Sequence, residues 1–462
     1  MKMAGVCNVF SDVGMKEVSS VLASGNIIFQ SEQDSSVLKE ILEKAMSKYF
    51  NYEAFLFLKT EEEVEEIFKK NPFSKAENLH VYSFIGIEGV EIILLEEFKN
   101  SEKGNHFYQK TGIPIHPFSP MTKIAWLKEF EPDIFAKTTK FVSIKEYIWH
   151  HLTGEYITDT SMASGTGLLN IHTLKWDEEI LEFLGIKENQ LATICEVTHQ
   201  AKGISDNFTY IIGGGDGALA NLGTGAMNKG FLSLTIGTSG AVRLPIDKPF
   251  LDPQMRTQCY HLQKNQYFTL GAINNGAIVL QWLKESILKT TDSYESLFEE
   301  AEKIPAGSEG LLFVPYLLGE RAPIWDASAR GSLLGIQITH KQAHLVRATL
   351  EGILFGLFQI TEILLPNPEK RKQMTIMASG GFGKSNFWLQ IVADIFQMKV
   401  QTSQTIEGSA WGAVLIGMES VGIKVTNQHK IGETFIPNES HKEVYANAFN
   451  KFKKVYSVLK GL

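Results

Sequence analysis

Apolar positions recur at helical spacing over Val37, Leu38, Ile41, Leu42, Ala45 and Met46, which predicts a helix with one buried face. On either side the pattern is strand-like, over 20–29 around a Ser24-Gly25-Asn26 turn and again over 52–58. Thr60 and Glu63 stand at capping-box spacing, so a helix should run on to Lys70, and a further strand is expected over 80–85. The run Glu61-Glu62-Glu63 reads as the solvated first turn of that helix, favoured by its dipole. This alternation of strand and helix predicts a small α+β, ferredoxin-like module over 1–95. A polar junction follows at 96–107. Beyond it Lys123, Trp126 and Leu127 fall on one amphipathic helix, with Trp126 in the core and Lys123 a charge on the helix face. A second helix is expected over 143–152, and the small-residue run 159–167 reads as a loop.

Further on, apolar runs become shorter and are framed by glycine. Tyr210-Ile211-Ile212 and 231–236 read as buried strands, and 231–236 with 241–244 reads as a hairpin. The run 267–270 is strand-like and leads through 271–276 into a helix over 277–288. Strand 375–379, glycine turn 380–383 and amphipathic helix 386–396 make a strand–turn–helix unit of the kind that borders nucleotides. The small residues of 407–418 predict a helix packed closely on a sheet.

Two of the glycine-framed turns carry candidate chemistry. In Gly213-Gly214-Gly215-Asp216-Gly217 the aspartate has few side chains beside it and can face a cleft as a base, although aspartates of glycine turns also serve simply as turn formers. In Gly237-Thr238-Ser239-Gly240 the backbone N–H groups and two hydroxyls suit a phosphate, but the same residues build tight hairpin turns. Gly276 opens a helix and suits close approach of a nucleotide or of neighbouring backbone. Arg321 reads equally as a structural ion-pair partner and as a site residue. His150 and His151 are adjacent and cannot both face one metal ion, so no metal site is expected.

Composition narrows the class. With 462 residues, the chain suggests two to four domains, and 44% hydrophobic with 21% charged residues fits a soluble globular protein. A net charge of −8 argues against a nucleic-acid or anionic-membrane partner. The scattered Cys7, Cys195 and Cys259 form no disulfide or metal pattern, which predicts a reducing, cytoplasmic setting. No run is apolar enough for a membrane span, and the first residues carry no signal-peptide pattern.

Two longer patterns carry a resemblance. Phe118-Ser119-Pro120-Met121-Thr122-Lys123-Ile124-Ala125-Trp126-Leu127 resembles the first signature of the FGGY family of carbohydrate kinases. The run Gly331–Ile336, followed by His344–Glu351, resembles the second. Within the family, the stretches TGIPIHPFSPMTKIAW, GTSGAVR, NNGAIVLQW and GERAPIWD resemble the gluconate-kinase subgroup, and the likeness covers about 108–462. Residues 2–95 resemble part of a bacterial family of unknown function.

The resemblance implies an α/β fold of two actin-like (ribonuclease H-like) domains with a cleft between them. The remnant of the first, sugar-binding domain would span 108–225 and the second, nucleotide-binding domain 226–462. It implies ATP and Mg²⁺ as cofactors and a small sugar or sugar acid as substrate, gluconate first, with xylulose, glycerol or another polyol as alternatives. It also leaves room for a homodimer. Asp216 would deprotonate the acceptor hydroxyl, Phe118 and Gly217 would help to bind the sugar, and 159–167 would line the cleft. Gly237, Thr238, Ser239 and Gly276 would hold the nucleotide's phosphates or ribose, with Gly381 and Ser385 beside the adenine. The family's opening Asp-x-Gly-Thr-Thr-like hairpin, which contacts phosphate, has no counterpart in 1–107. The fold is therefore expected to be incomplete in its first domain, and two readings follow. One is a carbohydrate kinase; the other is an inactive fusion of two partial proteins that at most binds nucleotide.

Overall fold

The computed structural model describes residues 3–21, 26–50, 56, 58, 60, 98, 99, 101–404, 407–423 and 431–460. The chain divides into two compact units, Met1–Gly89 and Val90–Leu462. In the first, α1 (Met3–Asp12) leads into an antiparallel hairpin of β1 (Lys16–Val21) and β2 (Asn26–Gln30), then α2 (Ser35–Phe50). Its core joins Val6, Val9 and Phe10 of α1 to Leu38, Leu42 and Met46 of α2; Ile41 and Ala45 of the expected face are half-buried and Val37 is exposed. The hairpin begins earlier than expected, at Lys16, and its turn at 22–25 lies outside the described residues. So do the expected capping-box helix after Thr60 and the strand at 80–85, and nearly all of the strand expected at 52–58.

Residues 101–223 form many short elements. They are α3 (Glu102–Thr111), α4 (Pro120–Phe130), α5 (Pro132–Lys137), α6 (Ile144–Thr153), β3 (Ile157–Asp159), α7 (Thr160–Ser164), β4 (Leu169–Asn170) and β5 (Lys175–Trp176). After these come α8 (Glu178–Leu184), β6 (Thr193–Cys195), β7 (Gln200–Lys202), β8 (Thr209–Ile211) and α9 (Asp216–Gly223). Local signals fix the helix ends. Ser119 caps α4 ahead of Pro120, and Ser143 with Glu146 completes a capping box on α6. Gly112 and Gly154 end α3 and α6 in the left-handed conformation, at φ 70° and 81°.

Several expectations are corrected here. Trp126 is only half-buried, stacked on Phe130; the buried face of α4 is Met121, Thr122 and Ile124. The loop expected at 159–167 contains α7, because the buried Asp159 side chain accepts from Met162 N–H and starts a helical turn. Tyr210 and Ile211 belong to a two-stranded ladder of β8 with β7 and are half-buried rather than central. Among the described residues of 98–223, β3–β6, β4–β5 and β7–β8 are all two-stranded.

The remainder is built on one sheet. Its strands are β9 (Phe231–Ile236), β10 (Gly240–Ile246), β11 (Gln258–Gln263) and β12 (Gln266–Ile273). After α10 (Ala277–Trp282), α11 (Tyr294–Glu302), the β13 (Leu312–Val314)–β14 (Ser332–Leu334) ladder, α12 (Gln342–Leu364) and α13 (Pro368–Lys372) comes β15 (Thr375–Ser379). Then follow α14 (Asn386–Phe396), β16 (Lys399–Ser403), α15 (Gly408–Ser420), β17 (Ile431–Phe435) and α16 (Lys442–Leu459). The strand order is β11-β12-β10-β9-β15-β16-β17; β9, β15 and β16 are parallel and the other pairings antiparallel. Leu232, Leu234, Ile236, Val242 and Leu244 alternate onto one face and join the core that includes Leu350, Ile353, Leu354 and Leu357 of α12. The helix expected over 277–288 is present, with a π-helical second half at Leu283–Leu288.

The small-residue helix α15 packs its glycines on a helix, α9, while Ile416 shares a core with Leu262, Phe268 and Leu270 of the sheet and Glu419 accepts from Gln263 of β11. A Cβ on Gly412 would collide with the Leu219 carbonyl of α9, and one on Gly223 with the Gly408 carbonyl. Two helix backbones approach this closely only where glycine faces glycine or a bare carbonyl.

Candidate active site

The β9–β10 hairpin holds its turn out to solvent: Gly237, Thr238 and Ser239 are exposed, while Ile236 and Gly240 on either side are buried. Gly237 N–H donates back to the Ser239 carbonyl at 2.9 Å. The start of α10 is stitched underneath, with Gly276 N–H donating to Thr238 O at 3.2 Å and Ala277 N–H to Gly237 O at 2.8 Å. A Cβ on Gly276 would lie 2.5 Å from the Ser239 carbonyl carbon, so this glycine serves the close approach of backbone. What remains for a ligand is the outward edge, with both hydroxyls.

The 274–276 segment is itself anchored by a buried carboxylate. Glu320 accepts from Asn274 N–H at 2.6 Å, from Arg321 N–H at 2.7 Å and from Asn275 Nδ2 at 2.9 Å. Burial nevertheless pushes its carboxyl up to about 7, against the pull of those donors and Arg321. On the other side of β9, Gly380 has φ 99° and sits against the Ile236 carbonyl, from which its Cβ would be 2.5 Å away. That contact brings the exposed Gly381 beside the hairpin turn. Ser385 is committed to capping α14, accepting from Trp388 N–H at 3.2 Å. Gly237, Thr238, Ser239 and Gly381 are exposed, while Gly276 is buried beneath the turn and Ser385 caps α14.

Asp216 is the first residue of α9, not part of a free turn as expected; Gly213–Gly215 make the turn and Gly215 caps the helix. Gly215 N–H donates to Ser161 Oγ of α7 at 3.1 Å, and Ser409 Oγ of α15 donates to the Asp216 carbonyl at 3.2 Å. The carboxylate is exposed, and Oδ1 accepts from Gly217 N–H at 2.7 Å. Gly217 faces the Arg243 guanidinium of β10, whose Nε would lie 3.4 Å from a Cβ there. Burial pulls Arg243 down from its usual value, Asp216 and Tyr260 oppose that, and Arg321 adds to it. Burial pushes the Tyr260 phenol up to about 12, with Arg243 and Arg321 acting against the shift.

Phe118 packs at 6.2 Å on Trp325 and at 5.2 Å on His116, which also meets Trp325 edge-on at 5.2 Å. Burial, with the charges of Arg321 and Lys99, pushes His116 down to about 4, so this aromatic wall is neutral at physiological pH. Arg321 therefore lies within electrostatic reach of both His116 and Tyr260 and links the wall electrostatically to the Asp216 side.

The FGGY family of carbohydrate kinases matches in both parts, its N-terminal domain over residues 92–223 and its C-terminal domain over 232–420. The chain belongs to the FGGY family of carbohydrate kinases. A gluconokinase from Bacillus licheniformis is 36% identical over 384 residues, covering 78% of this chain and 74% of that protein. A xylulose kinase from Bacillus subtilis (strain 168) is 30% identical over 376 residues, covering 78% and 75%. The crystal structure of a gluconate kinase from Lactobacillus acidophilus superposes with a TM-score of 0.77 at 34% identity, covering 80% of this chain and 78% of that one. The fold is the two-domain actin-like, ribonuclease H-like α/β fold of these sugar kinases. A protein family of unknown function (DUF1697) matches residues 1–112. Among the described residues no helix is long and apolar enough to cross a membrane.

Sequence reasoning missed Arg243, Tyr260 and the Glu320 anchor, while Ser161 lies inside the 159–167 run expected to line the cleft. Arg243 had a signal, since it is the one charged residue in the strand 240–246. Tyr260 had none, because only the sheet brings β11 near α9. A recess of about 430 Å³ lies elsewhere, lined by Gly307, Glu351, Phe355 and Ala448 among others. Its Glu351 is fully engaged by Arg347, Ser308, Gly307 N–H and Tyr445, so it has no free group to offer a ligand.

Proposed function

We propose that this family member phosphorylates a sugar acid at the expense of ATP, with gluconate as the acceptor and 6-phosphogluconate as the product. The observation that carries this reading is the pairing of an open glycine–hydroxyl turn, locked by Gly276, with an exposed carboxylate at the start of α9. The gluconokinase and gluconate kinase among the relatives support the substrate. Bound ATP would supply the phosphoryl group, and Mg²⁺ would offset charge on its phosphates. The outward edge of 237–239, with open space beside Gly237 and Gly381, has room and donors for those phosphates. Asp216 would accept the proton of the acceptor hydroxyl, and its rigid seat on α9 would orient that hydroxyl. Phe118 and Gly217 would border the acceptor.

The second reading, a fusion that binds nucleotide without turnover, is favoured by the two-stranded ladders of 98–223 and the missing family hairpin in 1–107. A purified-chain assay of ATP-dependent phosphorylation of gluconate, xylulose and glycerol separates the two. Turnover preferring gluconate is expected. No turnover from a sample that binds ADP in calorimetry overturns the kinase reading in favour of the fusion.

A further inference from the structure

Arg243 stands beside Gly217, next to Asp216, and Arg321 lies within electrostatic reach of Arg243; among the described residues neither forms an ion pair. Arg243 donates from Nη1 to Thr235 Oγ1 at 3.2 Å, a neutral partner. Its Nε and Nη2 turn toward Gly217, 3.4 and 3.5 Å from the position a Cβ would take there. Arg321 donates from Nη2 to the Ile273 carbonyl at 3.0 Å, and its buried Nε has no acceptor. Among the described residues no carboxylate oxygen lies within 4.0 Å of either group. Asp216 acts on Arg243 only through space, and Glu320, the carboxylate beside Arg321, spends its oxygens on Asn274, Asn275 and the Arg321 backbone.

Holding two cations close together with polar groups unsatisfied is costly unless an anion completes the site. Arg243 and Arg321 repel one another, and Tyr260 lies within reach of both as a phenol that can donate. A guanidinium edge presents parallel N–H donors that match the two oxygens of a carboxylate. Beside Arg321 the rings of His116, Phe118 and Trp325 form a neutral aromatic wall, with the Lys99 ammonium donating to the Trp325 carbonyl at 3.2 Å.

We infer that Arg243 and Arg321 bind the carboxylate of the acceptor, so that the site selects a sugar acid over the neutral polyol of the same carbon skeleton. This rests on the sugar-acid reading above and assigns its specificity to two residues. The acceptor's far hydroxyl then falls to Asp216 and its acid group to the arginine pair.

Calorimetric titration of the full chain with gluconate, glucitol and Mg²⁺-ADP tests this without requiring turnover. The variants are Arg243→Met and, independently, Arg321→Met, each checked for wild-type thermal unfolding. Gluconate should bind the wild type at least about tenfold more tightly than glucitol, and each variant should weaken gluconate roughly 10- to 100-fold. Glucitol and ADP affinities should stay at their wild-type values. Unchanged gluconate affinity in Arg243→Met overturns the inference while the sugar-acid reading stands. So does a variant that loses ADP instead of gluconate, which would assign the pair to phosphoryl groups. A wild-type chain that binds glucitol or xylulose but not gluconate overturns the sugar-acid reading itself.

Discussion

Residues 98–223 and 231–460 solve the same packing problem with different means. The second stretch has a seven-stranded sheet, one face of which is sealed by α12 and α14, and each turn at the site is braced by a neighbouring strand or helix. The first stretch has two-stranded ladders and helices held mostly by their own caps. It leans on the other half for order: Tyr108 Oη donates to the Thr257 carbonyl at 2.9 Å, and Ser164 Oγ accepts from His261 N–H at 3.1 Å. The contrast teaches where the site's precision comes from. Asp216 lies in the segment that matches the family's first domain, yet its helix is gripped by α15 of the second through Gly223, Gly408 and Gly412. Asp216 and the 237–239 turn are thus both held by elements of the 231–460 stretch.

The largest test of that division is Asp216→Asn, which keeps the shape and removes the base. The phosphorylation rate of gluconate should fall by roughly 10²–10⁴ while the ADP dissociation constant holds within about twofold. If the variant turns over at the wild-type rate, Asp216 is not the proton acceptor. If ADP binding collapses as well, the two halves are not separable in function.

Gly412→Val probes the grip between the halves. Its side chain would meet the Leu219 carbonyl, backbone that cannot swing aside, so urea unfolding should report a loss of roughly 3 kcal/mol or more. Activity should fall further than stability predicts, because α9 carries Asp216. A fully stable Gly412→Val would mean that α9 and α15 are not packed this closely in solution.

How much of this could be read from the chain depends on how local the cause is. The β9–β10 hairpin was legible because Leu232, Leu234 and Ile236 alternate up to a Gly-Thr-Ser-Gly turn. The β15–turn–α14 unit was legible for the same reason, and both lie where strand partners only confirm the local pattern. The helix α7 was not, since Thr160, Ser161 and Ser164 are poor helix formers and the deciding cap is one carboxylate, Asp159. Nor was the partner of α15: Gly408 and Gly412 permit close packing on a sheet or a helix equally, and only the placement of Gly223 and Leu219 decides. The arginine pair was invisible because Arg243 and Arg321 lie far apart in sequence and come within electrostatic reach only through the fold.

Glu320 offers a smaller effect, confined to the well-ordered half. Its carboxyl is raised from an ordinary 4.5 to about 7, so the folded state favours the protonated form. The stability this contributes is full below the ordinary value and is lost as pH rises through about 7. Between about pH 5 and pH 8, wild-type unfolding free energy should therefore drop by roughly 2–3 kcal/mol more than that of Glu320→Gln. Equal slopes for the two proteins would show that the carboxyl is already ionised at low pH and that the anchor of 274–276 is better solvated than its burial suggests.

The smallest effect on stability is expected on the loosely built side. Helix α6 turns Ile144, Tyr147, Ile148 and Leu152 outward, 74%, 49%, 52% and 36% exposed, at the spacing of a single helical face. An apolar stripe of this kind favours self-association rather than folding. Replacing Ile144 and Ile148 together by Lys should change unfolding free energy by no more than about 0.5 kcal/mol per site. Sedimentation at high protein concentration should nonetheless show less association than in the wild type, because like charges now meet where apolar side chains did. A loss of several kcal/mol would mean that this face is covered in solution, and the contrast between the two halves would then be smaller than the strand count implies.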